Sequence, residues 1–181
     1  MNALGMIEVL SIPVGIEASD ALLKTAAVDL VSAQTVCAGK YICMVSGEVA
    51  AVRESVAAGE NVAAEALIQS IVIPSVHANV IEAMNACSEI GQAEALGILE
   101  TYSLAAAVIT ADACVKAADV RLIEVRLGRG LGGKSFVLLT GGVAAVEAAV
   151  RAAESLEEAE GMMSKSVVIP SPHPDLVKSL L

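Results

Sequence analysis

The apolar run "LGMIEVL" at residues 4–10, broken only by Glu8, predicts a strand. In "GIEASDALLKTA" at 15–26, Ala18, Ala21, Leu22 and Ala26 fall on one face of a predicted helix. Two strands follow, "VDLVSAQTV" at 28–36 and "KYICMVS" at 40–46, on either side of a short loop at 37–39. "EVAAVRESVAAGENVAAEAL" at 48–67 predicts a second helix with Val49, Val52 and Val56 in a stripe. "QSIVI" at 69–73 is a last strand, ended by Pro74, and "HANVIEAM" at 77–84 is a short terminal helix.

The same pattern is then written again. "ALGMIEVLS" at 3–11 returns as "ALGILETYS" at 95–103, and "DALLKTAAVDLV" at 20–31 as "DACVKAADVRLI" at 112–123. "GKYICMVSGEVAAVRESV" at 39–56 matches "GKSFVLLTGGVAAVEAAV" at 133–150, where Val143, Val146 and Val150 repeat the valine stripe. "SIVIPSVH" at 70–77 matches "SVVIPSPH" at 166–173. A duplication explains this, with domains at 1–89 and 90–181 and the boundary inside "NACSEIGQA". Strand–helix–strand–strand–helix–strand in each half predicts an α+β fold. Each domain is a mostly antiparallel sheet with flanking helices, ferredoxin-like in outline.

Composition narrows what such a fold can do. The chain of 181 residues is 56% apolar but has no Trp, one Phe and two Tyr, so its core is built from Ala, Val, Ile and Leu. That favours closely packed helices and strands over a large aromatic-lined pocket. A net charge of −10 leaves no basic stripe to neutralise phosphates, so no nucleic-acid partner is expected. Mean hydropathy is +0.71, yet charged or strongly polar side chains interrupt every window of about 18 residues, so no membrane span is expected. "MNALGMIEVLSIP" lacks a basic segment and carries Glu8, which argues against a secretory signal. The four cysteines have no C-x-x-C spacing and read as reduced cytosolic thiols.

"GRGLGGKS" at 128–135 spells the letters of a phosphate-binding P-loop, with Gly128, Gly133, Lys134 and Ser135. Such a loop needs a strand before it and a helix after it. Here "VRLIEVRL" precedes and "SFVLLTG" follows, so strands flank it on both sides and a hairpin loop is expected. A small nucleotide-binding enzyme using 128–135 is therefore a disfavoured alternative. No Ser–His–Asp set or pair of loop carboxylates stands out either, and the chain is not expected to be an enzyme. His77 and His173, one per repeat, suggest a structural or edge role. "EEAE" at 157–160, Glu60 and Glu65 read as solvated helix surface.

The repeat also sorts the cysteines. Cys43 aligns with Val137 and Cys114 with Leu22, both core positions, while Cys87 has no counterpart and no assigned role. Cys37 differs, lying in "TVCAGK" at the loop between two strands.

The recurring "ALGxIE", "DAxxKAAxVxL", glycine-rich loop ahead of "GK", "GxVAAVxxAV" and "VIPxPH" segments resemble the bacterial microcompartment (BMC) shell-protein domain, and cover nearly all of the chain. The resemblance implies two tandem BMC domains in unpermuted order. Six domains of this family make a flat hexagonal tile with a central pore, so three chains would make a homotrimeric pseudohexamer set among other BMC shell hexamers. The expected place is the shell of a cytoplasmic microcompartment. By the same resemblance the loops at 37–39 and 128–133 face the pore, through Ala38, Gly39, Arg129, Gly130, Leu131, Gly132 and Gly133. Lys24 and Lys116 match the family's tile-edge lysine, while Ser75 and Ser171 stand where the family commonly has an edge arginine.

Within the family the chain looks most like the tandem proteins of propanediol-utilisation shells, whose "TICPGK"-like pore loop supplies a cysteine. "TVCAGK" differs chiefly at Ala38. The resemblance implies that Cys37 of three chains binds one [4Fe–4S] cluster, with the fourth iron left for water, a small molecule or a partner. Such a tile would pass electrons across the shell, with an encapsulated or cytosolic redox enzyme as a further partner. Arg129 would raise the potential of such a cluster, or is simply a solvated loop arginine. A metabolite-conducting pore with a free Cys37 stays open as the alternative on the same scaffold, as does a regulatory protein of related ring shape.

Overall fold

The computed structural model describes residues 3–88 and 93–180, so the predicted boundary between 89 and 90 lies outside the described residues. The first repeat runs β1 (Ala3–Val9), α1 (Ile12–Thr25), β2 (Asp29–Val36), β3 (Lys40–Gly47), α2 (Val49–Ala63), β4 (Leu67–Ile73) and α3 (Ala78–Met84). The second runs β5 (Ala95–Thr101), α4 (Leu104–Ala117), β6 (Val120–Leu127), β7 (Ser135–Gly141), α5 (Val143–Glu154), β8 (Met163–Ile169) and α6 (Pro174–Leu180). Each repeat forms a four-stranded antiparallel sheet, in the orders β2-β3-β1-β4 and β6-β7-β5-β8. The expected α+β class, with flanking helices, is what the chain adopts.

Two compact units organise these elements. One holds the described residues up to 76 together with 103–105 and 128–133; the other holds 77–102, 106–127 and the rest from 134.

In the first unit α1 and α2 cover one face of the sheet, and Ile7, Val9, Ala18, Leu22, Cys43, Val45, Val52 and Val56 form its core. Central strand β1 is buried along its whole length, whereas edge strand β2 is largely exposed. The helix layer lies so close that a Cβ on Gly5 would come within 2.6 Å of Val52 and Val56. Glycine there sets the helix-to-sheet distance. In the second unit Gly97 does the same against Leu139, at 2.7 Å.

Apolar runs and helical stripes located the elements but not all their ends. Helix α2 was expected to reach residue 67 and stops at Ala63, because Ala64 takes a left-handed φ of 43° and starts a single 3-10 turn. Ala26 lies beyond the end of α1. Val146 and Val150 are buried as the stripe predicts, whereas Val143, the first residue of α5, is 40% exposed.

Short helix α3 belongs to the second unit, where it packs on β6. Val80 and Ala83 are buried there. The Leu122 amide, freed by a bulge between Leu122 and Glu124, donates to Asn79 Oδ1 at 2.7 Å. The His77 amide donates to Asp112 Oδ1 at 2.8 Å, and the His77 ring caps α3 by accepting from the Asn79 amide at 3.2 Å.

Candidate functional site

Two hairpin loops meet in the first unit. Residues 37–39 join β2 to β3, and 128–133 are the greater part of the β6–β7 connection. The Cys37 amide donates to the Gly128 carbonyl at 3.1 Å, and the Gly130 amide donates to Cys37 Sγ at 3.2 Å. Gly130 has a φ of 73°, which aims its amide at the sulfur and which a side chain would disfavour. The Cys37–Ala38 peptide is cis. An open depression of about 760 Å³ is lined by Thr35, Cys37, Gly39, Arg129, Gly130 and Gly132, among others. Cys37 is half-buried at its edge.

Of the expected pore-loop residues, Ala38, Gly39, Arg129, Gly130 and Gly132 line this depression. Leu131 and Gly133 do not; Gly133 is buried against the Cys37–Ala38 backbone. The Arg129 guanidinium is held 2.7 Å from Gln34 Oε1.

Beneath the loops sits Glu8, to which the sequence assigned no role in the site. Glu8 is fully buried on β1 and pairs with Lys40 Nζ at 2.8 Å. Lys40 also donates to the Gly133 carbonyl at 3.1 Å, tying the pair to the second loop. Glu8 Oε2 accepts from the Ser103 hydroxyl at 2.8 Å and from the amides of Leu104 at 2.7 Å and Ala105 at 3.2 Å. A buried carboxylate needs this many partners, and the positive N-terminus of α4 supplies them. The signal was present: a single glutamate interrupts the central strand at the same place in both repeats.

In the second repeat the equivalent pair is Glu100 with Lys134, 2.8 Å apart and both about 40% exposed. Ser164 also donates to Glu100 at 2.8 Å, and Lys134 lies 5.6 Å over the Tyr102 ring. The Lys134 ammonium holds the Glu100 carboxyl below its usual pKa, and Glu100 raises that of Lys134. Here the P-loop spelling finds its structural meaning. Lys134 is engaged by a carboxylate, Ser135 is buried at the start of β7, and the next helix begins only at Val143.

The other cysteines divide as the repeat suggested. Cys43 and Cys114 are fully buried, and burial raises both thiol pKa values, that of Cys114 to about 12. Cys87 is exposed, its thiol 3.4 Å from the Asn85 carbonyl. Among the described residues no three His, Cys, Asp or Glu of one chain are grouped to hold a metal. His173 accepts from the Asp175 amide at 3.2 Å, as His77 does from Asn79. Lys24 and Lys116 lie in the last turns of α1 and α4, paired with Asp20 and Asp112 one turn back. No helix among the described residues is long and apolar enough to cross a membrane.

The doubled four-stranded sheet with its helices and hairpin loops is matched twice by the BMC domain, at residues 3–76 and 95–172, and the chain belongs to that family. It is 37% identical over 180 residues to the bacterial microcompartment shell protein PduT of Citrobacter freundii, covering 99% of this chain and 98% of that one. It is 42% identical over 90 residues to the shell protein PduA of the same organism, over 49% of this chain and 94% of PduA. A crystal structure of a microcompartment protein from Desulfitobacterium hafniense superposes with a TM-score of 0.85 at 48% identity, covering 98% of this chain and 99% of that one.

Proposed function

We propose that this chain is a structural shell protein of the PduT type. Three copies would form a pseudohexameric tile among the hexamers of a cytoplasmic bacterial microcompartment, with Lys24 and Lys116 at the tile edge. The reading rests on the two BMC domains and the near full-length likeness to PduT. The loops at 37–39 and 128–133 would surround the central opening, and each chain would bring one Cys37 to it.

Cys37 of three chains would hold one [4Fe–4S] cluster. The observation behind this is a half-buried thiol beside an open, glycine-lined depression, with the Gly130 N–H directed at its sulfur. N–H···S hydrogen bonds of this kind accompany cluster thiolates and help set their potential. No three metal ligands are grouped within one chain among the described residues, so several copies are needed. When bound, such a cluster would carry single electrons across the tile, to or from a redox enzyme on either side.

Iron and sulfide analysis and visible absorption of anaerobically reconstituted protein test this. The expected result is about four iron atoms per three chains, and colour that Cys37→Ser abolishes without changing the assembly's mass. Cys43→Ser and Cys114→Ser should keep the colour. A colourless, iron-free protein would overturn the cluster and leave a metabolite-conducting pore with a free Cys37.

A further inference from the structure

Both oxygens of the buried Glu8 carboxylate lead to the loop at 128–133, one to each of its ends. From Oε1 the path runs through Lys40 Nζ, at 2.8 Å, to the Gly133 carbonyl, at 3.1 Å. From Oε2 it runs through the Leu104 amide, at 2.7 Å, which fixes the start of α4. The Leu104 side chain is fully buried and presses on Gly128, where a Cβ would come within 3.1 Å of Leu104 and 3.2 Å of Val36. Gly133, at the other end, rests in van der Waals contact with the Cys37–Ala38 backbone. Between these two held ends the Gly128 carbonyl accepts from the Cys37 amide at 3.1 Å, and the Gly130 amide points at Cys37 Sγ from 3.2 Å. The second repeat lacks this arrangement. Lys134 engages Glu100 and lies over the Tyr102 ring, and it bonds no carbonyl of the 37–39 loop among the described residues. Its side chain is 41% exposed, against 13% for Lys40. The pair that grips a loop belongs to the repeat that carries the loop cysteine.

We infer that Glu8 and Lys40 are positioning residues for the Cys37 sulfur: by holding both ends of 128–133 they keep the Gly130 N–H on Sγ. Sulfur is a weak acceptor, and a glycine-rich loop loses much backbone freedom when it is fixed, so the N–H···S bond needs an anchor outside the loop. A buried ion pair supplies one, because neither charge can move away without being left unpaired in an apolar surround. The inference deepens the Cys37 reading above and rests on it only for its effect on a cluster. Hydrogen bonds to a ligating sulfur help set a cluster's potential, so the clamp would act on that potential from outside the ligand set.

Glu8→Gln combined with Lys40→Met tests this, since the double change keeps both side-chain lengths and leaves no unpaired charge in the core. With only the glycines isotope-labelled, nuclear magnetic resonance reads the Gly130 amide directly, and Gly130→Ala identifies its signal by loss. In the cluster-free double variant that signal should shift, and its exchange with solvent should quicken by about tenfold or more. Gly59 and Gly97, packed in the two cores, should keep their wild-type signals. Should the double variant not fold, Leu104→Ala loosens the Gly128 end alone and should quicken Gly130 exchange by a smaller factor. Reconstituted with iron and sulfide, the double variant should hold as much iron as wild type and show a lower midpoint potential. A folded variant whose Gly130 amide keeps its wild-type signal and exchange overturns the clamp. Full iron with an unchanged midpoint overturns its effect on the cluster. A wild type that takes up no cluster, with Gly130 still released by the double change, overturns the cluster and leaves the clamp standing.

Discussion

Glu8 with Lys40 and Glu100 with Lys134 are the same pair written twice, with the same 2.8 Å separation and opposite surroundings. Glu8 is fully buried and is held by a lysine, a hydroxyl and two amides. Glu100 keeps its lysine and one hydroxyl and is about 40% exposed. Identical chemistry thus serves as a buried keystone in one place and an ordinary surface ion pair in the other. What decides is whether a helix start lies over the carboxylate, not the residues of the pair.

The sharpest way to break this comparison is Glu8→Ala against Glu100→Ala, by denaturant or thermal unfolding. Removing Glu8 strands a nearly buried Lys40 and two helix amides, so a loss of about 3–5 kcal/mol is expected. Removing Glu100 should cost the folded chain less than about 1 kcal/mol, as for exposed ion pairs. Equal losses would refute the distinction.

A second twin position sharpens the comparison through pH. Leu22 and Cys114 occupy the same core site, but only the thiol titrates, with its pKa raised by burial to about 12. The folded state therefore keeps a proton that the unfolded thiol gives up near pH 8.5. Stability from this site is complete below about pH 8.5 and falls by about 1.4 kcal/mol per pH unit above it, until the folded thiol ionises. At pH 10 this amounts to about 2 kcal/mol, and Cys114→Ala should flatten that part of the stability–pH curve.

The smallest effect belongs to Arg129, in the loop that meets Cys37. Arg129→Ala removes an exposed hydrogen bond to Gln34 and should leave chain stability within about 0.5 kcal/mol of wild type. With the cluster in place, iron content should stay unchanged while redox titration shows a lower midpoint potential. An unchanged midpoint would make Arg129 a solvated loop residue and nothing more.

Strands, helices and their order were legible because apolar runs of strand length and helical stripes of period 3.6 were each written twice. The rejection of "GRGLGGKS" as a P-loop was legible for the same reason, since an apolar run of strand length follows it where a helix should start. Cys37 stood out as the loop cysteine, unlike Cys43 and Cys114, whose twins are plain hydrophobes. What stayed hidden depends on residues far apart in the chain. Nothing local ties Glu8 to the Leu104 amide or Cys37 to Gly130, because tertiary packing alone joins them. The end of α2 was missed because Ala64 adopts a left-handed backbone that alanine rarely takes.

The unequal burial of the four cysteines turns the chain into its own gauge. Cys37 and Cys87 can meet an alkylating reagent in the folded chain, whereas Cys43 and Cys114 meet it only after unfolding. Intact mass would then count two labels for a folded chain and four for an unfolded one, and a cluster shielding Cys37 would lower the folded count to one. Folding and cofactor loading become integers read from a single spectrum, without any dye or engineered tag.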